Sequence, residues 1–372
     1  MAAVTGPERD LLVLGGGVTG LGLARLAARS GWSVTVVERD DLATGASSST
    51  SHMLHGGLRY LEQGRFRLVR EALAERMAVS RLAPALARPV RFLVPLRKGD
   101  RVGPFRLRAG LALYDLLAGR SGLSPHVLAG AKQALAMEPA LEPDGLRAAG
   151  IYSDVVMDDV RIAIALARDA AAHGAEILPH TELVAARPEP STGRQAVELR
   201  ARGGVLRQDG SGGVRSLKPL LAAAERVGEA SREHRIVDDG PLLTIAGGKY
   251  TTFRVMARDV FVAAARKLKR ATPPAEDGEV ALPTPLADAV GDEDLAAHAL
   301  SHEWAGSLED IVRRRSTRWL ADDRGLAAAR RMAPVLAKRF GWDGAREREE
   351  IDRFEASVRD ELLMLDRALA AH

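Results

Sequence analysis

The chain has 372 residues, 46% of them apolar, which is long enough for two domains, or one large domain with an appendage, around a real core. It has no cysteine, which excludes disulfides, thiolate zinc sites, cysteine-ligated iron–sulfur clusters and cysteine nucleophiles. Its formal net charge of +4 is too mild to imply nucleic acid and fits, weakly, an anionic substrate or surface.

Nothing at the start reads as a secretory leader, because "MAAVTGPERD" sets charges where an apolar stretch would have to begin, and no run is a convincing membrane span. Next, "DLLVLGG" from Asp10 reads as a buried parallel strand, "GVTGLGLARLAARSG" as a turn opening a helix, and "WSVTVVE" over 32–38 as a second apolar strand. Together they predict a β-α-β unit. A Ser/Thr/Gly loop fills 45–60, and a helix is expected over 66–81. "RFLVPLR" reads as a short strand and "RLRAGLALYDLLAG" as a helix with basic and apolar faces. "IYSDVVMDD" gives an exposed strand or turn, with Asp158 as the cap of the next helix. "AEILPHTELVAA" suggests a strand pair. Residues 187–213 are a polar, glycine-dotted break, and "GGVRSLKPLL" runs into "AAAERVGEASREHR", which reads helical. "GPLLTIAGGKYTTFRVMARDVFVAAARKL" is strand, glycine turn and helix. "ATPPAEDGEVALPTP" is a linker by composition, and from Asp288 the pattern is all helical.

Gly15, Gly16, Gly17 and Gly20 let the chain turn tightly, so that backbone N–H groups meet a pyrophosphate at a helix N-terminus. Glu38 closes the second strand, where a carboxylate accepts ribose hydroxyls and repels a 2′-phosphate; Arg39 adjoins it. A plain glycine-rich turn is the structural alternative. In an NAD enzyme the second strand commonly leads into another crossover helix. Here a loop holding Ser47, Ser48, Ser49, Thr50, His55, Gly56 and Gly57 follows, and its small hydroxylated side chains admit an extended diphosphate and ribityl chain, which favours FAD. In "AGGKYTTF", an apolar strand meets Gly247 and Gly248, and Lys249, Tyr250 and Thr251 open a helix. That reads as an anion or cofactor contact, or else as a capping turn with a solvated lysine. Single arginines are usually surface residues, but Arg215 and Arg232 with Arg59 and Lys249 also suit a phosphate clamp. His52 and His55 read either as proton acceptors near a flavin or as satisfied structural histidines, and Tyr60 as a polar lid or as packing. No histidine is spaced to make a metal site of the carboxylates in 152–159.

These stretches together resemble the FAD-dependent, respiratory glycerol-3-phosphate dehydrogenases. "LGGGVTGLGLARLAARSG" is similar to their FAD fingerprint, "GASSSTSHMLHGGLRYLEQGRFRLVREAL" to their flavin loop, and "AGGKYTTFRVMA" to their second signature. "YSDVVMDDVRIAIALARDAAAHGAEI" and "HEWAGSLEDIVRRRSTRWLA" resemble further family text. The resemblance implies an α/β flavoprotein: a Rossmann-like FAD-binding domain with a reduced substrate domain of the amino-acid-oxidase-like kind, and an all-helical C-terminal domain. The divisions expected are 1–270, a linker over 271–287, and 288–372. It implies oxidation of sn-glycerol 3-phosphate to dihydroxyacetone phosphate, hydride passing to the flavin and electrons to a quinone. A related oxidase using oxygen, or an impaired FAD-binding remnant, is the alternative. Arg59, Tyr60, Arg215, Arg232 and Lys249 resemble residues that line the substrate phosphate or flavin, with His55 as the candidate base. Residues 97–120 resemble a segment that touches the bilayer, which implies a cytoplasmic protein peripheral on the membrane; a docked helix with a basic outer face explains them nearly as well. The C-terminal helices are the candidates for homodimer contacts.

The chain departs from the family in its middle. There the family carries a long section, including a strand returning to the FAD domain, and here it shrinks to 186–213, shorter by about a hundred residues at ordinary element lengths. A strand lost from a parallel sheet predicts an uncovered edge, a less enclosed flavin and weak turnover.

Overall fold

The computed structural model describes residues 5–119, 123–189, 194–201, 214–217, 220–223, 234–272, 280–286 and 290–370. The chain opens with β1 (Thr5–Arg9), β2 (Leu11–Leu14), α1 (Val18–Arg29), β3 (Val34–Val37) and β4 (Met53–Leu54). It continues through α2 (Arg59–Glu62), α3 (Phe66–Leu82), β5 (Ala87–Arg97), α4 (Pro104–Ala118), β6 (Val127–Gly130), α5 (Ala131–Met137), β7 (Leu146–Met157) and α6 (Asp159–Ala172). Seven strands follow: β8 (Glu176–Leu178), β9 (Thr181–Glu189), β10 (Arg194–Ala201), β11 (Val214–Leu217), β12 (Leu220–Ala223), β13 (Arg235–Asp239) and β14 (Leu242–Ala246). The last helices are α7 (Phe253–Lys267), α8 (Asp292–His302), α9 (Leu326–Phe340) and α10 (Gly344–Ala370).

The six-stranded sheet runs β13-β14-β12-β2-β3-β8, parallel except for β13, which lies antiparallel on β14. The aliphatic runs of β2 and β3 are buried on both faces, as strands between two layers must be. On one face α1 packs between α6 and α7. The small residues of α1 permit this closeness: an added Cβ on Gly22 would lie 3.1 Å from Phe253. On the other face, Leu12 and Val37 pack with Val197 and Leu199 of the four-stranded sheet β1-β11-β10-β9. A third, antiparallel sheet pairs β4 and β5 with β7, and β6 also joins β7. Asp158 caps α6, its carboxylate accepting from the Arg161 N–H at 2.9 Å, as its position in the sequence predicts. A separate cluster in the last helices, with Leu295, Ile311, Met332, Leu336 and Phe354 buried, has its own core.

Three sequence expectations are corrected. The stretch 146–157 is neither exposed nor a turn but the long central strand of the third sheet, with both Ile151 and Val155 buried. The polar stretch after Ala186 is not a simple break: β9 and β10 form an antiparallel ladder that extends to Glu189 and restarts at Arg194. Ala222 and Ala223, read as the start of a helix, instead complete β12, which fits between β2 and β14, and residues 224–233 of that helical reading lie outside the described residues. The central sheet therefore has no open edge there; its edges are β13 and β8.

Candidate functional site

The glycine turn between β2 and α1 is held by its own backbone. Gly15 has φ +111°, the left-handed region that suits glycine, and its N–H donates to the Val37 carbonyl at 2.9 Å. The Gly16 N–H donates to Glu38 Oε2 at 2.7 Å, and the Asp40 N–H to Glu38 Oε1 at 2.9 Å, so the carboxylate is fixed at the end of β3. An added Cβ on Gly20 would lie 2.1 Å from the Gly15 carbonyl oxygen, so only glycine lets α1 start this close to the turn. Gly17 is the N-cap of α1, with no side-chain cap and no acid in the first turn. The Val18 N–H donates to Ser47 Oγ at 3.0 Å, which ties the serine loop to the helix N-terminus.

These parts surround a cavity of about 390 Å³, whose walls include Gly15, Gly20, Glu38, Arg39, Ser47 and Gly247. The donor set suits a dinucleotide: a positive helix end whose N-cap residue has no side chain, the Ser47 hydroxyl on its first N–H, and a carboxylate placed for hydroxyl groups. An added Cβ on Gly17 would come within 3.1 Å of Ser47 Oγ, so the approach between loop and helix also depends on a missing side chain.

The other predicted cluster forms where the two signatures meet. Gly57, at φ +80°, turns the chain so that its carbonyl accepts from the Tyr60 N–H at 2.9 Å, and any Cβ there would sit 2.4 Å from the Tyr60 ring. Tyr60 is buried, and Lys249 Nζ stands 4.0 Å from its ring centroid, a cation–π contact of about 0.5–2 kcal/mol. Gly248, at φ +88°, turns the chain against Met256. Tyr250 donates to the Asp159 carbonyl at 2.6 Å; burial, then the Asp159 and Asp158 carboxylates, keep its phenol protonated far above the usual range. Thr251 is buried behind it.

Other predicted residues turn elsewhere. Thr50 Oγ1 donates to Asp159 Oδ2 at 2.6 Å, Ser48 Oγ donates to the Gly45 carbonyl at 3.1 Å, and the Ser49 N–H donates to the Ala46 carbonyl at 3.4 Å. His52, at φ +53°, places Nδ1 3.2 Å from Asp159 and lines a cleft with Ser316 and Thr317 of the C-terminal region. His55 is half-buried at the end of the loop, next to Gly56. Arg59 opens α2, and Arg215 lies on β11 between Gly6 and Val197, in a different sheet from β4; the side chains of both are outside the described structure. Arg232 lies outside the described residues.

The sequence reading missed a charged knot that joins the C-terminal region to the end of β3. Arg315 Nη2 donates to Asp41 Oδ1 at 2.7 Å, Arg314 also pairs with Asp41, and Arg314 Nη2 donates to Asp310 Oδ1 at 2.6 Å. His180 Nε2 lies 3.2 Å from Asp310 Oδ2. Possible ligand atoms of Asp41, His180 and Asp310 lie within 4.8 Å of one another, but two guanidinium groups already neutralise the carboxylates. Burial and the Arg161 pair define a second link: Arg161 grips Glu303 through two bonds, at 2.7 and 2.8 Å. No local signal marks partners so far apart in sequence.

Residues 10–224, more than half of the chain, match the family described as FAD dependent oxidoreductase. An aerobic glycerol-3-phosphate dehydrogenase of Staphylococcus haemolyticus is 39% identical over 175 residues, 47% of this chain and 31% of the relative; the enzyme of that name in Staphylococcus aureus USA300 matches at 39% over the same shares. The matched part thus spans about a third of the length of these curated relatives. The glycerol-3-phosphate dehydrogenase of Bacillus halodurans, solved with FAD, shares the fold at a TM-score of 0.66 and 16% identity, over 96% of this chain and 95% of that one. A glycine oxidase from Geobacillus kaustophilus gives a TM-score of 0.50 at 15% identity, over 75% and 100% of the two chains. The cofactor these findings indicate is FAD.

Proposed function

Since the chain belongs to the FAD dependent oxidoreductase family, we propose that it oxidises sn-glycerol 3-phosphate to dihydroxyacetone phosphate and delivers the electrons to a quinone. The observation that carries this reading is the meeting of Lys249 with Tyr60, which sets a cation beside a phenol where the two glycine turns converge. The relatives named as glycerol-3-phosphate dehydrogenases support the substrate class.

Gly15, Gly17, Gly20, Glu38, Arg39 and Ser47 would hold the cofactor, through backbone N–H groups at the pyrophosphate, the Glu38 carboxylate at the ribose and the serine hydroxyl between. Bound FAD supplies the hydride-accepting ring. Lys249 supplies the cation that holds the substrate phosphate, as a point charge placed by its contact with Tyr60. Tyr60 orients the Lys249 ammonium through its ring. His55 takes the proton of the substrate C2 hydroxyl. Holding the phosphate fixes C2, so most of what the protein supplies is placement.

A quinone acceptor is favoured by α4, which exposes Phe105 (86%) and Leu116 (75%) and also carries the exposed Arg106 and Arg108, a surface suited to lying in a membrane interface. Among the described residues, no helix is long and apolar enough to cross a membrane. The test is an anaerobic titration of FAD-loaded protein with sn-glycerol 3-phosphate. The expected outcome is loss of the oxidised flavin bands; bands that persist at saturating substrate refute the reading. Re-oxidation by a soluble quinone supports the acceptor proposed, and fast peroxide formation in air assigns oxygen instead.

A further inference from the structure

The Gly56–Gly57 turn rests on a buried polar chain that the proposed reaction does not use. The Gly56 N–H donates to the Tyr114 hydroxyl at 2.8 Å. Tyr114 donates in turn to Asp154 Oδ2 at 2.8 Å, and Asp154 Oδ1 accepts from Arg76 Nη1 at 2.6 Å. Tyr114, Asp154 and Arg76 are each 1% exposed. They come from α4, β7 and α3, so three separate elements converge on one backbone amide.

The geometry allows no substitute. An added Cβ on Gly56 would lie 2.7 Å from Leu73 Cγ and 2.8 Å from Tyr114 Cε2, so the amide is seated directly in a socket formed by α3 and α4. Tyr114 has one proton, and Asp154 accepts it, which leaves the hydroxyl oxygen to accept from Gly56. Burial, then the Asp154 carboxylate, push the phenol well above its usual range, so the proton stays. A buried N–H without an acceptor is unfavourable, and the next residue, Gly57, carries the carbonyl that accepts from Tyr60.

We infer that Tyr114 is a positioning residue: through its hydroxyl it fixes the Gly56–Gly57 turn and thereby sets Tyr60 under Lys249. This rests on the reading of Tyr60 and Lys249 as the substrate end. Its consequence is that removing one oxygen on α4 disturbs substrate binding without touching substrate.

The experiment compares Tyr114→Phe with Leu111→Ala in the full chain loaded with FAD. Leu111 is also 1% exposed and sits one turn away on α4, so its truncation loosens the same helix but keeps the hydroxyl. Amide hydrogen exchange is followed at Gly56, and KM and kcat are measured with sn-glycerol 3-phosphate. Tyr114→Phe is expected to speed Gly56 exchange and to raise KM, each about tenfold, with a smaller change in kcat. Leu111→Ala is expected to lower the melting temperature while Gly56 exchange and KM follow only its global loss of stability. Unchanged Gly56 exchange in Tyr114→Phe, or a KM that rises with falling melting temperature in both variants alike, overturns the inference. If the unmodified protein does not oxidise sn-glycerol 3-phosphate, the functional reading fails, and the exchange comparison still decides the role of Tyr114.

Discussion

Replacing Gly20 by alanine separates a cofactor turn from an ordinary helical glycine. Both Gly20 and Gly110 lie inside helices, α1 and α4. Alanine in a helix interior is favoured over glycine by roughly 0.5–1 kcal/mol, so both changes begin with that gain. An added Cβ on Gly110 meets nothing within 4 Å, and the gain remains. On Gly20 it meets the Gly15 carbonyl oxygen at 2.1 Å, well inside the 3.0 Å that real Cβ atoms keep, and Val13 Cγ1 at 3.2 Å. The close atom is backbone, so either α1 or the turn must move. Overpacking of this kind costs about 3 kcal/mol at the upper end, which leaves a net loss of about 2 kcal/mol, or about 30-fold in an equilibrium constant. Because the helix start and turn are the wall of the cavity, the loss is expected in FAD affinity as well as in stability. The assay is urea denaturation of the cofactor-free protein, together with FAD titration followed by quenching of flavin fluorescence. Gly110→Ala should keep FAD affinity and gain slightly in stability. A Gly20→Ala protein with unchanged FAD affinity would refute the idea that closeness between α1 and the turn shapes this site.

Lys249→Met, which keeps length but removes the charge over Tyr60, should raise KM for sn-glycerol 3-phosphate at least about tenfold while the flavin spectrum is retained; an unchanged KM places the phosphate elsewhere. Glu303→Leu strands the buried Arg161 guanidinium and should cost about 3–5 kcal/mol in urea denaturation, whereas Arg161→Leu combined with Glu303→Leu should recover most of that. Equal losses in the single and double variants would show that the pair is not what matters. Burial pulls His180 down, but the hydrogen bond and charge of Asp310 outweigh it, and its pKa lies above the ordinary histidine value. Its contribution is therefore complete below the ordinary histidine value and is lost as pH rises through the raised one, so stability should decline with alkaline pH, and His180→Gln should flatten that part of the profile. A slope unaffected by the substitution would exclude His180 as its source.

How much the sequence disclosed depended on the range of the signal. The strands Leu11–Leu14 and Val34–Val37, the glycines between them and the Asp158 cap are local patterns, and all were legible. Ala222 and Ala223 were not, because Ala favours helix in isolation and only the slot between β2 and β14 makes them part of a strand. Strand β10 was hidden because Glu198 and Arg200 alternate with the buried Val197 and Leu199, and its polar face was taken for a break. At the candidate site, the glycine turn and Ser47 could be named from spacing, but Thr50 could not be assigned to Asp159 from sequence, since they lie 109 residues apart. The same holds for Arg315 and Asp41, which are 274 residues apart.

Strand β12 sets the width of the nucleotide end. In the central sheet Leu221 pairs with both Val13 and Leu243, so β12 spaces β14 from β2. Without it β14 would close on β2 by one strand width, about 4.8 Å, and Gly247 would be driven toward the Gly15 turn instead of forming the far wall of the cavity. β12 is therefore a strand the cavity needs. From the other side, Asp41 stands just beyond Glu38 and Asp40 and is fixed by Arg314 and Arg315. The loop carrying the Glu38 carboxylate is thus held at one end by β3 and at the other by the C-terminal region. The two walls of the glycine turn are therefore anchored by β12 on one side and by the C-terminal region on the other.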